Sequence, residues 1–327
     1  MKRVLMSRGA NTLVNVCAAV QPEEQVLVVT EAEMLPIAEA VSAAVYAVGA
    51  EPTIAVITPR QADGQEPPAN VAAAMRASNV FFAAVRTSIT HTRAVREAVE
   101  AGSRGLMLTQ FSQDMMIGGG IEADFGAQAP ICRRVAQAMA GASEIRLTNP
   151  HGTNLTLSAR GRRGNALTCL VQPGEFSPVP TIEANVSPLE GTAEGVIVAN
   201  ASIPYIGIGV LEEPVTVKVA KGMITSITGG QQAAKLAADL KAKNDPLVYN
   251  IAELGVGLNP KCKFIGFMLE DEGVLGSVHI GIGTNITLGG NLKAACHYDL
   301  IMTEPTIIAD GQLVLDKGQL TPNILKV

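Results

Sequence analysis

Short apolar segments alternate with longer segments of helical character through the first half of the chain. Val, Ile and Phe are frequent in four runs that are bounded by turn residues, and these runs predict buried strands at 25–30, 51–58, 79–85 and 104–109. The segments between and after them predict helices at 34–48, 67–78, 90–102 and 131–142. Strands that alternate with helices in this way indicate a parallel sheet with helices on its faces.

Beyond residue 143 the helical pattern nearly vanishes. Residues 144–161 alternate apolar with polar side chains around Asn149–Pro150–His151–Gly152, which predicts a hairpin. Four further segments predict strands, at 195–203, 214–230, 248–258 and 276–283. One segment, 231–243, predicts a helix. Short strands with Gly and Pro turns are typical of β-rich domains. We therefore predict an α/β protein in which a Rossmann-like α/β domain (1–143) is followed by a β-rich α+β domain (144–327).

Composition and charge exclude several classes of protein. The 327 residues are 47% hydrophobic and 17% charged, which is the opposite of a disordered chain. A net charge of −5 and 3% aromatic residues argue against a nucleic-acid partner. No run of about 20 apolar residues could span a membrane, and Arg8, Asn11 and Asn15 interrupt any signal-peptide core. Five cysteines without a CxxC motif indicate neither a disulfide framework nor a cysteine zinc site, so we expect a cytoplasmic protein.

Nucleotide-binding motifs are missing from the strand–helix half. No strand is followed by GxGxxG, and GxxxxGK[ST] does not occur. The glycine cluster Gly118–Gly119–Gly120 follows DMMI and precedes an acidic stretch, which favours a loop over a phosphate-binding site. We therefore expect the first domain to frame a site rather than to supply its chemistry, and we assign no cofactor-binding residues to it.

Two of the four histidines lie close together in the second half. In GSVHIGIG, strand alternation sends Ser277, His279 and Gly281 to one face, and the small neighbours leave space beside the imidazole. His297 and Asp299 are two residues apart, so in a strand both side chains point to the same side. Such a pair can supply two ligands to one metal ion.

Carboxylates inside apolar runs strengthen the prediction of a metal site. Glu253 lies in YNIAELGVGL and Glu183 in PTIEANV, and a buried glutamate is costly unless it is paired or metal-bound. The acidic turn Glu270–Asp271–Glu272 precedes the histidines. Together these segments supply six candidate ligands: Glu183, Glu253, Glu272, His279, His297 and Asp299. Six mixed nitrogen and oxygen ligands can hold two divalent cations such as Zn, Co or Mn, and a two-metal centre can activate water towards a polarised carbonyl.

At these residues the chain resembles a known family. The runs IEANVSPLEGTAEGVIV, VYNIAELGVGLNP, LEDEGVLGSVHIGIGTNITLGG and ACHYDLIMTEPTIIADGQLVLDKG are similar, in this order, to the metallo-aminopeptidases of the aminopeptidase T and aminopeptidase S type. The resemblance is clear over 183–317 and topological over 1–143. It implies a metal centre of three glutamates, two histidines and one aspartate, carried over by motif to the six residues above. It also implies a homodimer that acts on a short peptide or another small molecule.

The chain departs from those peptidases in two places. Their tyrosine seven residues beyond the HIGIG histidine is replaced by Ile286, and in the acidic turn Glu270 competes with Glu272 for the site position. A related branch, the 2,5-dihydroxypyridine dioxygenases, shares the pattern of the second domain. The resemblance to that branch implies one Fe(II) held by two histidines and one aspartate, with a histidine where this chain has Glu253.

Two reaction classes therefore follow from the sequence. We predict a metal-dependent, aminopeptidase-like or amidase-like hydrolase of amide or peptide bonds, in which Glu270 or Glu272 moves the proton. The alternative enzyme is an Fe(II)-dependent ring-cleaving dioxygenase. A non-enzymatic binding protein that uses the same fold is a third hypothesis.

Overall fold

The computed structural model describes residues 1–325, and its helices are mostly short. They are α1 (Lys2–Leu5), α2 (Ser7–Asn11), α3 (Leu35–Val48), α4 (Ala69–Ala77), α5 (Arg93–Glu100), α6 (Gln113–Ile117), α7 (Phe125–Met139), α8 (Gln231–Ala242), α9 (Met268–Asp271) and α10 (Pro322–Leu325). A π-helical turn covers Thr12–Cys17, and 3₁₀ turns cover Ala32–Met34, Gly120–Glu122, Pro246–Tyr249 and Ile286–Leu288.

Twenty strands account for most of the remaining regular structure in residues 1–325. The first eight are β1 (Gln25–Glu31), β2 (Glu51–Ile57), β3 (Val80–Ala84), β4 (Arg104–Met107), β5 (Ile145–Thr148), β6 (Asn154–Leu157), β7 (Gly164–Leu167) and β8 (Phe176–Pro178). The others are β9 (Glu183–Val186), β10 (Glu194–Ala199), β11 (Ser202–Ile203), β12 (Gly209–Val210), β13 (Val215–Ala220), β14 (Met223–Thr228), β15 (Ile251–Gly257), β16 (Val278–Gly283), β17 (His297–Met302), β18 (Thr306–Ala309), β19 (Gln312–Asp316) and β20 (Gln319–Leu320).

The chain divides into two compact units. The first comprises Met1–Gly126 and Leu167–Pro180, and the second comprises Ala127–Ala166 and Thr181–Val327. The domain boundary at residue 143 stays a prediction: by contacts the second unit begins earlier, at Ala127, and 167–180 joins the first unit. That segment carries β8, which pairs in parallel with β4.

The first unit is built on a five-stranded parallel sheet in the order β2-β1-β3-β4-β8. All four predicted strands are present within a few residues of their expected positions. On one face Leu27, Phe81 and Met107 pack with Met75 of α4 and Val95 of α5 in a fully buried cluster. Apolar residues of the strands and of the helices thus form the core that the sequence predicts.

The second unit contains two antiparallel sheets. One has eight strands in the order β14-β13-β10-β6-β5-β18-β19-β20, and the other has seven in the order β12-β11-β17-β16-β15-β9-β7. The predicted hairpin at 144–161 is β5 paired with β6, with the turn at Asn149–Gly152. A parallel-sheet α/β region joined to β-rich sheets confirms the predicted α/β fold class.

Two local features differ from the sequence-based expectations. The helix expected at 131–142 begins earlier, at Phe125, ends at Met139 and contains Pro130, which lacks the N–H that would bond to the preceding turn and so removes one helical hydrogen bond without ending the helix. The strand β8 is too short for a periodic pattern. In residues 1–325 no helix combines the length and apolar character needed to cross a membrane, and the five cysteines form no disulfide.

Candidate metal centre

One face of the seven-stranded sheet carries the predicted ligands in neighbouring strands. Glu253 of β15 lies opposite Gly281 of β16, which in turn lies opposite Asp299 of β17. One row further along, Gly255 lies opposite His279. Because directly opposed residues of an antiparallel pair share a face, these side chains all project to the same side of the sheet.

The strand β9 adds a carboxylate to this face. Glu183 is paired with Gly257 and Asn185 with Gly255, so Glu183 lies on the side of the sheet that carries His279. Five of the six residues in the predicted ligand set thus project from four adjacent strands: Glu183, Glu253, His279, His297 and Asp299. The alternation of side chains is what aligns them.

The first group of potential ligands is Glu183, Glu253 and His279. Nε2 of His279 lies 3.6 Å from Oε1 of Glu183 and 3.9 Å from Oε1 of Glu253. All three residues are buried, and one ligand atom from each lies within 4.8 Å of the others. Two carboxylates and one imidazole thus lie close enough together to hold one metal ion.

The second group is Glu253, His297 and Asp299. Nε2 of His297 lies 2.9 Å from Oε2 of Glu253 and 3.4 Å from Oδ1 of Asp299. One ligand atom from each of these three residues lies within 4.8 Å of the others. Glu253 belongs to both groups, and its two oxygens face different histidines.

Glycines make room for this arrangement. A Cβ atom at Gly281 would lie 2.7 Å from Cβ of Glu253 and 2.8 Å from Nε2 of His297. A Cβ atom at Gly255 would lie 2.0 Å from Nε2 of His279. The period-two glycines of ELGVG and HIGIG therefore leave one face of β15 and β16 open for the side chains of their neighbours.

Unpaired buried atoms in the cluster fit a bound cation. Within residues 1–325, Oδ1 of Asp299 accepts no hydrogen bond, although it is buried. Nδ1 of His279 is also buried without a hydrogen bond in the described chain, but it is Nε2 of this imidazole that faces Glu183 and Glu253. Buried polar atoms are rarely left without a partner, and oxygen with imidazole nitrogen is a common ligand combination for divalent transition metals. The expectation of a divalent-metal site is confirmed, whereas the role of each single ligand stays a prediction.

The electrostatics show how tightly the groups interact in the absence of metal. Burial raises the pKa of Glu253, but the imidazoles of His279 and His297 outweigh burial and lower that pKa to about 2. Burial also raises the pKa of Asp299, and the charge of His297 outweighs it, so the pKa lies below its usual range. In the metal-free chain the carboxylates therefore favour the protonated form of the two imidazoles.

The remaining groups shift in the opposite direction. Burial lowers the pKa of both histidines, but the carboxylate of Glu183 raises that of His279, and the carboxylate of Asp299 raises that of His297, well above the usual value. Burial raises the pKa of Glu183 despite the nearby imidazole. Such strong perturbation in one cluster is typical of functional sites.

Other residues hold the potential ligands in place. Nδ1 of His297 lies 2.8 Å from the carbonyl oxygen of Thr284, to which it donates when protonated, and this leaves Nε2 facing Glu253 and Asp299. Nδ2 of Asn185 donates to Oε1 of Glu183 at 2.5 Å, and Asn165 donates in turn to Oδ1 of Asn185 at 2.8 Å. Hydrogen bonds of this kind orient metal ligands.

The acidic turn contributes through Glu272. The hydroxyl of Tyr205 lies 2.8 Å from Oε1 of Glu272 and 2.5 Å from Oδ2 of Asp299, which joins Glu272 to the second group. Oε2 of Glu270 instead accepts the backbone N–H of Lys263 at 3.3 Å. Burial, together with the charge of Asp299, raises the pKa of Glu272 well above its usual value.

Sequence reasoning missed Tyr205, Asn185 and Thr284. Asn185 stands two residues after Glu183, so strand alternation could have placed it on the ligand face. No local signal could have found Tyr205, because its contacts are 67 and 94 residues away along the chain. Ile286, which stands where the resemblance to the peptidases implies a tyrosine, is the first residue of a 3₁₀ turn and is 49% exposed.

Comparison with known proteins defines the family. Residues 10–322 match the model of NicX, 2,5-dihydroxypyridine 5,6-dioxygenase. A 2,5-dihydroxypyridine 5,6-dioxygenase of Pseudomonas putida is 30% identical over 159 residues, and this alignment spans 45% of each chain, less than half the length of the relative.

Two solved structures share the fold. The structure of 2,5-dihydroxypyridine dioxygenase from Pseudomonas putida has a TM-score of 0.82 at 19% identity and covers 99% of both chains. Wild-type AmpT from Thermus thermophilus has a TM-score of 0.71 at 16% identity and covers 98% of this chain and 100% of its own. The resemblance to the aminopeptidase T type, with a related dioxygenase branch, is thus confirmed. With its family model matched over almost the whole length, the chain belongs to the NicX family of 2,5-dihydroxypyridine 5,6-dioxygenases.

Proposed function

We propose that this member of an enzyme family is a metal-dependent hydrolase of amide or peptide bonds, with a two-metal centre in which Glu253 would serve as a ligand in both groups. The observation that carries the proposal is that Glu253 belongs to both groups of potential ligands. Each group contains one imidazole and two carboxylates. Two ions close enough to share a carboxylate are typical of metallohydrolases.

The ligand geometry favours hydrolysis over ring cleavage. Non-haem Fe(II) oxygenases use two histidines and one carboxylate around one ion. In residues 1–325 neither group of three contains both His279 and His297. The likeness of the fold to AmpT supports an amide-bond substrate.

Divalent ions, when bound, supply the Lewis acidity that lowers the pKa of water and polarises a substrate carbonyl. The residues would divide the remaining work. Glu183 and His279 would hold one ion, His297 and Asp299 the other, with Glu253 between them. Glu272 lies in neither group, so it is the carboxylate best placed to move the proton between the attacking water and the leaving amine. Glu270 is the less suitable candidate because its carboxylate holds the backbone of Lys263.

A second candidate function has its own support. The family model and the 30% identical relative both name a dioxygenase, which favours Fe(II)-dependent cleavage of a dihydroxypyridine ring. In that case Glu253, His297 and Asp299 would hold a single iron, with one imidazole fewer than the usual triad.

Metal analysis combined with a substrate screen tests both functions. The metal-free chain is loaded with Zn, Co, Mn or, anaerobically, Fe(II), and each form is assayed for amide hydrolysis and for oxygen uptake with 2,5-dihydroxypyridine. We expect two ions per chain and hydrolysis that needs no oxygen. One Fe(II) per chain with substrate-dependent oxygen uptake would establish the dioxygenase instead. The variant Glu253→His is the matched control, because it adds a second imidazole beside His297 and Asp299 and should abolish hydrolysis.

We further propose a cytoplasmic homodimer that acts on a short peptide or another small molecule. The resemblance to the aminopeptidases supports the dimer, and five cysteines without a disulfide support a reducing compartment. Light scattering of the purified chain tests the dimer, and fractionation of cells tests the compartment.

A further inference from the structure

The phenol of Tyr205 lies between two carboxylates of the metal centre. Its oxygen is 2.8 Å from Oε1 of Glu272 and 2.5 Å from Oδ2 of Asp299. A tyrosine hydroxyl carries one proton and can also accept. It therefore connects the two carboxylates in one hydrogen-bonded chain, although they come from the acidic turn and from β17.

The ring of Tyr205 is fixed from outside the cluster. Its backbone N–H donates to the carbonyl oxygen of Ile203, the last residue of β11, at 2.8 Å. Its ring lies against that of Tyr298, with centroids 4.9 Å apart and planes inclined by 33°. The hydroxyl of Tyr298 points elsewhere and donates to Asp239 at 3.0 Å. Backbone and ring contacts thus set the direction of the Tyr205 hydroxyl.

The two oxygens of Asp299 have different surroundings. Oδ2 is held by Tyr205, whereas Oδ1 accepts no hydrogen bond in the described chain and lies 3.4 Å from Nε2 of His297. A hydrogen bond on one carboxylate oxygen restricts rotation and directs the other oxygen. In this case the other oxygen faces the group that contains Glu253 and His297.

We propose that Tyr205 is a positioning residue of the metal centre, which holds Asp299 with Oδ1 directed to the metal and keeps Glu272 beside it. The inference rests on the proposed metal centre but not on the reaction that the centre catalyses. It also gives the site a partly buried phenol from a different part of the chain, since Ile286 supplies no hydroxyl.

The test compares the affinity for Mn²⁺ of the wild-type chain and of Tyr205→Phe. Both are stripped with a chelator and titrated with Mn²⁺ by isothermal titration calorimetry. Removal of a residue that hydrogen-bonds a metal ligand weakens metal binding about 10–100-fold. We expect a decrease in affinity of this size in the Mn²⁺-binding event that involves Asp299. The event that involves Glu183 and His279 should change by less than about threefold, since in residues 1–325 the hydroxyl of Tyr205 is hydrogen-bonded to Glu272 and Asp299 and to neither of those residues.

The matched control is Tyr298→Phe, which removes the other hydroxyl of the stacked pair and should leave both affinities unchanged. Equal affinity of Tyr205→Phe and wild type would overturn the proposal, as would an equal loss in Tyr298→Phe. Loss of both binding events, or an unfolded Tyr205→Phe protein beside a folded Tyr298→Phe protein, would assign Tyr205 a purely structural role. A wild-type chain that binds no Mn²⁺ would also overturn it.

The outcome is separable from that of the proposed hydrolase. If no amide is hydrolysed but Tyr205→Phe still weakens Mn²⁺ binding selectively, the hydrolase is wrong and the role of Tyr205 stands. If amides are hydrolysed and Tyr205→Phe binds Mn²⁺ as wild type does, only the role of Tyr205 is wrong.

Discussion

Glu253 and His297 meet across a strand that separates them. Oε2 of Glu253, in β15, lies 2.9 Å from Nε2 of His297, in β17, while β16 runs between these two strands. The contact passes over Gly281, whose missing side chain leaves the space. A metal centre can form on this face only because the middle strand carries a glycine at that row.

The first prediction follows from this glycine. Gly281→Ala places a methyl group 2.7 Å from Cβ of Glu253 and 2.8 Å from Nε2 of His297, so both side chains must move. We expect the affinity for Mn²⁺ to fall by at least about tenfold, and the free energy of unfolding to fall by about 1–3 kcal/mol. Calorimetric titration and thermal unfolding measure the two effects.

The control for that substitution is Gly126→Ala in α7. A Cβ atom there would meet only Oδ1 of Asp124, at 3.4 Å, so metal binding should stay unchanged. If Gly281→Ala binds Mn²⁺ as tightly as Gly126→Ala does, the ligands do not converge over β16 in the way described.

The shared carboxylate predicts unequal effects of two similar substitutions. Glu253→Gln removes the charge common to both groups, so we expect fewer than one tightly bound ion per chain. Glu183→Gln affects only the group that contains His279, so one ion should remain. Metal content after dialysis, measured by elemental analysis, distinguishes them. Two ions retained by Glu253→Gln would show that its carboxylate is structural.

Truncation of one histidine tests the second group. His297→Ala removes an imidazole whose Nε2 faces both Glu253 and Asp299, so the ion of the second group and the activity should be lost, while one ion and the fold are kept. His151→Ala is the control: this histidine lies exposed in the β5–β6 turn, and its replacement should change neither. Circular dichroism monitors the fold, and full metal content in His297→Ala would refute its assignment as a ligand.

The shifted pKa values predict how the metal-free chain responds to pH. The pKa of each of His279 and His297 is raised above the unfolded value of 6.5, so the stability from their protonated forms is complete below pH 6.5 and is lost as the pH rises through the folded values. The pKa of Glu253 is lowered, so its contribution is complete above pH 4.5 and is lost towards pH 2. The melting temperature of the metal-free chain should therefore decrease above pH 6.5.

Bound metal should counteract this decrease in melting temperature above pH 6.5. A metal ion displaces the protons from the imidazoles, so its affinity rises with pH and the difference in melting temperature between loaded and metal-free protein should widen above pH 6.5. Thermal scans from pH 5 to 9 with and without Mn²⁺ measure both trends. A metal-free melting temperature that increases above pH 6.5 would contradict the coupling between these histidines and their carboxylates.

Much of the fold could be predicted from local pattern. The four strands of the parallel sheet and the β5–β6 hairpin lie within a few residues of their expected positions, because buried parallel strands are nearly continuous apolar runs and hairpins carry Asn, Pro and Gly at the turn. The strand β8 has three residues and only its pairing partner, β4, defines it.

The candidate ligands were also accessible from the sequence, since a glutamate such as Glu253 stands out among apolar residues, and alternation places His297 and Asp299 on one face. The order of the strands in each sheet could not be predicted from local sequence, because strand pairing depends on contacts between residues far apart in the chain. Only the tertiary structure places Glu253 between the two histidines, separates Glu272 from Glu270, and brings the hydroxyl of Tyr205 to Asp299. The residue types set what chemistry the site can support, and the register of four strands decides which of those residues meet.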